Sequence, residues 1–136
     1  MKRLMVASIV LLAGISGEVM AACTPSTWVT GSALTTLIEG NTVCATRNTE
    51  QWQEQHRTSG ALWDYKKGPT DPVDPTEQVG TWSIATNNVT YVYTGGASYT
   101  YSVHGPTGGT YSFCTAPNGT EVVSGATFKI GSQSCP

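Results

Sequence analysis

Charge is scarce in this sequence. Asp, Glu, Lys and Arg make up 12% of its 136 residues, about half the roughly 25% of an ordinary soluble protein. That shortage excludes coiled coils, helical bundles and charged disordered tails, whose compositions rest on Glu, Lys, Ala and Leu. Basic runs are missing too. Beyond Lys2-Arg3 the one adjacent basic pair is Lys66-Lys67, and the formal net charge is −2. Neither nucleic acid nor anionic lipid is an expected partner, because both need a clustered positive field. Methionine disappears after Met20, and there are two histidines, His56 and His104. Thr, Ser, Gly, Asn and Tyr fill the space that charge leaves.

The methionine break coincides with an export pattern. Lys2-Arg3 supply a positive start, Leu4 to Ile15 an apolar run, and Val19-Met20-Ala21-Ala22 small residues for cleavage. As a helix that run reaches about 18 Å, short of a hydrocarbon core of about 30 Å, so no integral membrane span is expected. Residues 1–22 are read as a signal peptide and 23–136 as a single exported β-domain, periplasmic or secreted. Lipid anchoring through Cys23 is the alternative. Acylation sites usually carry Leu three residues before the Cys, where this chain has Met20.

Cys23, Cys44, Cys114 and Cys135 form an even set in an exported chain, which predicts two disulfides. Four cysteines allow three connectivities, and sequence alone does not choose. The pairing expected here is Cys44–Cys114, between strand-like runs, with Cys23–Cys135 tying the ends together. No C-x-x-C knuckle occurs, so neither metal nor cofactor is expected.

Alternation with period two dominates the body of the chain. Runs over 41–47, 79–85, 88–94, 98–104, 110–115 and 121–130 are rich in β-branched and aromatic residues. Between them stand turn formers: Asn87-Asn88, Gly95-Gly96, Pro106 with Gly108-Gly109, and Asn118-Gly119. Residues 50–57 and 61–67 read as a hairpin around Ser59-Gly60. The first arm also carries an Asn48–Gln51 spacing that imitates a helix capping box, and strand is the favoured reading. Residues 33–38 form a short helical turn closing one end. Residues 68–78, with Pro69, Pro72 and Pro75, form a stiff exposed loop. Its Asp71 and Asp74 fall short of a calcium site. The fold predicted is all-β: an antiparallel up-and-down meander barrel or sandwich of about eight short strands, stapled by disulfides.

Alternation divides the side chains between two faces. Trp82, Ile84, Val92, Tyr99, Tyr101, Val103, Tyr111 and Phe113 are assigned to the core; Thr81, Ser83, Ser98, Thr100 and Ser102 are assigned to solvent. Gly80-Thr81-Trp82, on a strand entered from a loop, resembles the G-x-W element of small secreted calycin-like barrels of the lipocalin and avidin type. That resemblance implies a meander barrel with a small ligand in its open end. It departs from the lipocalin pattern, where the Trp lies in the first strand; here at least two strands precede it. The wider arrangement of Gly40 to Cys44, a Trp-Gln-Glu hairpin, Gly-Thr-Trp and Tyr111-Ser-Phe-Cys114 is similar to uncharacterised exported bacterial domains. It implies no activity.

The best candidate site is Trp52, Glu54, His56, Trp63, Asp64 and Tyr65, where large rigid rings and polar tips suit recognition. The function expected is a non-catalytic binding module for a small ligand or an envelope protein surface. One alternative is a cell-envelope enzyme using Glu54, Asp64 or His56, with the two carboxylates facing each other across the hairpin. Another is a surface-assembly protein that pairs through exposed strand edges. A serine hydrolase is disfavoured, since no G-x-S-x-G elbow follows the leader, although Ser102 and His104 share a strand face. Ligation of one metal ion by His56, His104 and Glu54 requires three distant residues to converge.

Overall fold

The computed structural model describes residues 22–47, 50–64 and 76–136. The expected signal peptide apart from Ala22, the aromatic Tyr65 and most of the proline-rich loop therefore lie outside the described residues. After a 3-10 turn at Pro25–Thr27 comes one helix, α1 (Gly31–Ile38). Eight strands follow: β1 (Thr42–Arg47), β2 (Glu50–His56), β3 (Ala61–Asp64), β4 (Glu77–Ala85), β5 (Asn88–Tyr93), β6 (Ser98–Thr107), β7 (Thr110–Thr115) and β8 (Glu121–Lys129). Each pairs antiparallel with the next, and β8 returns to β1 through Thr42↔Lys129 and Cys44↔Thr127. The result is a closed barrel. Residues 50–56 are strand, paired in register with β1 from Thr42↔Gln55 to Arg47↔Glu50.

Alternation fills the interior. Val43, Leu62, Val89, Tyr91, Val103, Phe113, Val123 and Ala126 are buried together, with Leu34 and Ile38 of α1 packed among them. The helix plugs one end of the barrel. Its start is tied to the β4–β5 turn: Gly31 N–H donates to Asn87 Oδ1 (2.8 Å) and Trp28 Nε1 to the Asn87 carbonyl (3.1 Å). Burying Leu34 and Ile38 contributes about 2–3 kcal/mol each.

One face assignment and two burial assignments need correction. Val92 is 43% exposed on the outer surface, because Val89, Tyr91 and Tyr93 take the inward positions of β5. Tyr99 points inward at the mouth of the barrel and is 50% exposed there. Ser102 has the outward parity expected of it but is fully buried. Asn118 N–H of the β7–β8 turn donates to its Oγ (3.1 Å) and His104 Nε2 lies 2.9 Å from it, while the N-terminal segment holds the neighbouring residues, with Val29 N–H donating to the Val103 carbonyl (2.8 Å) and Trp28 bridging to His104. Pro106 also lies inside β6 rather than in a turn. Lacking an N–H, it sits where the pairing with β7 slips between His104 and Thr107.

The disulfide pairing is the other correction: Cys23 joins Cys114 and Cys44 joins Cys135, with Cα–Cα distances of 6.0 and 5.7 Å. Cys44 and Cys114 follow the core residues Val43 and Phe113, so alternation turns both outward. Their strands are separated by β8, hence by about 9–10 Å, beyond the roughly 7 Å that a disulfide spans. Each instead clamps a terminal segment onto the outside of the barrel.

Gly80 explains one residue of the Gly-Thr-Trp element. A Cβ there would lie 2.2 Å from the Val92 carbonyl oxygen and 3.0 Å from Tyr93 Cα. β4 meets β5 so closely that only glycine fits. Gly80→Ala is expected to cost about 2–3 kcal/mol by overpacking, seen as a lower urea midpoint at unchanged slope. A wild-type midpoint would show that the strands part there without penalty.

Candidate functional site

The end of the barrel opposite α1 holds a cavity of about 310 Å³. The inward residues of β2 build one side. Trp52, Glu54 and His56 share that face, and the Glu54↔Asp64 register sets a second carboxylate beside the first on β3. Directly opposed residues place their Cβ atoms about 4.5–5.5 Å apart. Glu54 is 1% and Asp64 8% exposed, yet both line the cavity. Tyr93, Tyr99 and Tyr101 build the facing wall, with Val79 and Val123 between and Arg47 at the rim. The rings brace one another: Tyr93 meets Tyr99 edge-on at 6.0 Å, and Tyr99 stacks on Tyr101 at 6.3 Å.

The carboxylate marks the electrostatics of the cup. Tyr93 donates its hydroxyl hydrogen to Glu54 Oε1. Burial first, and then the Glu54 charge, push the Tyr93 phenol far above its ordinary pKa of 10. Tyr91 and Tyr101 move in the same direction, again chiefly through burial. All three phenols stay protonated at physiological pH.

His56 faces inward one pleat deeper and does not line the cavity. Its Nδ1 lies 3.2 Å from the Asn41 carbonyl and its Nε2 2.9 Å from the Tyr91 hydroxyl. The carbonyl can only accept, so Nδ1 carries the proton and Nε2 accepts from Tyr91. Burial lowers the His56 pKa from 6.5 to about 4, which keeps the ring neutral. It is a structural part of the floor.

Of the six candidate residues the structure brings Trp52, Glu54 and Asp64 together. Trp63 turns the other way, because Leu62 and Asp64 hold the inward positions of β3; Arg57 lies over its ring at 4.2 Å. His104 sits on the outer face, far from His56 and Glu54, so those three do not converge. Its Nε2 is 2.9 Å from Ser102 Oγ, and its Nδ1 is 3.0 Å from Thr27 Oγ1 and 3.1 Å from the Thr24 carbonyl. Both are buried, His104 holding Thr24 and Thr27 of the N-terminal segment and Ser102 accepting from Asn118 N–H of the β7–β8 turn (3.1 Å), so this Ser–His contact is structural. Among the described residues no group of three or more His, Cys, Asp or Glu is placed to hold a metal ion. Sequence reasoning missed Tyr93, and it treated Tyr99 and Tyr101 as simple core. The signal was there: Tyr91, Tyr93, Tyr99 and Tyr101 share one face of the β5–β6 hairpin.

A larger groove of about 760 Å³ runs between α1 and the ends of β6–β8. It is an open surface in which Lys129 is the one charged side chain, so nothing in it converges on a ligand. The cup, with polar groups aimed into an aromatic enclosure, is the better site.

Comparison with protein-family models, with curated proteins and with solved structures finds no match. Fold and site alone define the class: a closed eight-stranded antiparallel barrel, plugged at one end by a helix and, among the described residues, holding an aromatic-walled cavity at the other. Two disulfides fit a non-reducing compartment. Among the described residues no helix is long and apolar enough to cross a membrane.

Proposed function

We propose that this chain is an exported, non-catalytic binding module that holds a small molecule in the open end of its barrel. The observation that carries the reading is the 310 Å³ cup walled by Trp52, Tyr93, Tyr99 and Tyr101, with Glu54 and Asp64 inside it. Barrels of eight strands have room for one small ligand, and this volume lies at the low end of ligand pockets. The signal-like residues 1–22 and the disulfides support a periplasmic or secreted location. The up-and-down meander and Gly80-Thr81-Trp82 support kinship in fold with calycin-like barrels. Two alternatives have less support. A surface-assembly role needs open strand edges, which barrel closure removes. An enzyme using His56 needs that ring in the cup, and Tyr91 holds it below; one using Glu54 and Asp64 needs carboxylates on either side of a substrate, and these two lie side by side on one wall.

Tyr99 offers the cleanest test, being half exposed and inessential to the core. Native mass spectrometry of protein from its own compartment should retain a small molecule. Tyr99→Ala should weaken its retention about tenfold, the worth of one aromatic face, with melting little changed. Protein that always carries the bare polypeptide mass, and whose tryptophan fluorescence ignores every small molecule offered, would overturn the reading.

A further inference from the structure

We propose that the guest of the cup is a neutral sugar, a pyranose laid against the ring of Tyr99. This deepens the binding-module reading and rests on it. Tyr99 is held from two sides, edge-on by Tyr93 at 6.0 Å and in parallel by Tyr101, within 6° at 6.3 Å, yet it stays 50% exposed. A fixed aromatic ring is thus left open at the mouth, with Trp52 in the facing wall. One side of a pyranose presents a patch of C–H groups, whose hydrogens carry partial positive charge and match the negative face of such a ring. Because the ring is already ordered, stacking on it costs little conformational entropy.

The polar groups at the mouth narrow the class. Arg47 carries only donors, Gln51 carries donors and an acceptor, and the Tyr99 and Tyr101 hydroxyls do either. Sugar hydroxyls likewise donate and accept, so they can answer all of these groups. An apolar guest would strip water from them and return no hydrogen bond. Charge favours neither sign. Arg47 and Glu54 both border the cup and act in opposite directions on the Tyr101 phenol, Arg47 the more strongly. A cation therefore meets Arg47 on entry, and an anion that pairs with Arg47 brings its charge toward Glu54. No further hydrogen bond is required from Glu54 or Asp64. The cavity of about 310 Å³ admits one pyranose, free or as the last unit of a chain whose remainder stays outside.

Oxidised full-length protein is titrated with the methyl glycosides of glucose, galactose and mannose and with N-acetylglucosamine. Glucosamine, glucuronic acid and 2-phenylethanol serve as cationic, anionic and hydroxyl-poor comparisons. Binding is read from saturable amide shifts of Trp52, Tyr99 and Tyr101. At least one neutral sugar should saturate those shifts and bind at least about tenfold tighter than any of the three comparisons. Tyr99→Ala should weaken that sugar about tenfold, and Tyr99→Phe, which keeps the ring, less than about threefold. Cellobiose, lactose and chitobiose then separate the sources: tighter binding than the single unit assigns a chain end, equal binding a free sugar. A cup that answers one of the comparisons as well as every neutral sugar, or keeps its sugar affinity in Tyr99→Ala, would overturn the sugar assignment and leave the binding module standing. If no probe moves those resonances, the sugar assignment falls alone where native mass spectrometry still finds a retained small molecule, and both readings fall where it finds none.

Discussion

Replacing Cys44 and Cys135 by serine should lower stability by about 4–5 kcal/mol and melting by about 15–20 °C. The disulfide joins residues separated by 91 positions, as does Cys23–Cys114, so each closes a loop spanning most of the barrel. Loop closure of that size restricts the unfolded chain strongly. Local contacts add to it. The segment after β8 lies over the outer face of β1 and β2, where Thr42 Oγ1 donates to the Gly131 carbonyl (2.6 Å) and Cys135 N–H donates to Gln53 Oε1 (2.7 Å). Thr42 and Gln53 are buried on that outer face, and the segment contacts both. Releasing it also exposes one flank of the β1–β8 seam that closes the barrel. Thermal melts with and without reductant check the effect, and peptide mapping of the oxidised protein should return the links Cys23–Cys114 and Cys44–Cys135. Unchanged melting under full reduction would show that the staples contribute nothing.

The strands and the short helix were legible because each has a local cause. Period-two alternation marks β4 to β8, turn formers separate them, and Leu34 and Ile38 lie one helical turn apart on α1. Barrel closure was not legible, since the pairing of β1 with β8 joins the first strand to the last and leaves no local signature. The disulfides were misread for the same reason. Cys44 and Cys114 each look like core beside Val43 and Phe113, but only the closed barrel shows two outward thiols on strands two apart. Ser102 and His104 carry outward parity yet are buried, Ser102 against Asn118 of the β7–β8 turn and His104 against a segment some 75–80 positions away.

The site was half legible. Trp52, Glu54 and Asp64 were found from the hairpin and its facing arms. Trp63 was grouped with Asp64 by proximity in sequence, although neighbours on a strand point to opposite faces. Val92 was placed inward on hydrophobicity when Tyr91 and Tyr93 had the right parity. That error hid the tyrosine wall of the cup. In both places parity was the better guide than residue type.

Acidification should destabilise the fold between about pH 6.5 and pH 4, through His56. In the unfolded chain this imidazole titrates near 6.5; in the folded barrel burial lowers it to about 4. Above 6.5 it is neutral in both states and the linkage has no effect. As pH falls below 6.5 the unfolded chain takes up a proton that the native state refuses, so the unfolded state gains. The loss grows until the folded ring also titrates and reaches about 3 kcal/mol near pH 4. Burial lowers His104 as well, which adds a loss of the same sign. The structural cause is the fixed tautomer. A protonated His56 would donate from both nitrogens, so the Tyr91 hydroxyl could no longer donate to Nε2. Its hydrogen would need another acceptor within a packed interior, beside Trp52 and Tyr101. Urea unfolding at pH 7.5, 5.5 and 4.5 should therefore show a stepwise decline. An NMR titration of the His56 ring in the folded protein should find no inflection above pH 5. A midpoint near 6.5 would mean that the ring is hydrated, and that the floor of the cup is open to water rather than sealed by Tyr91.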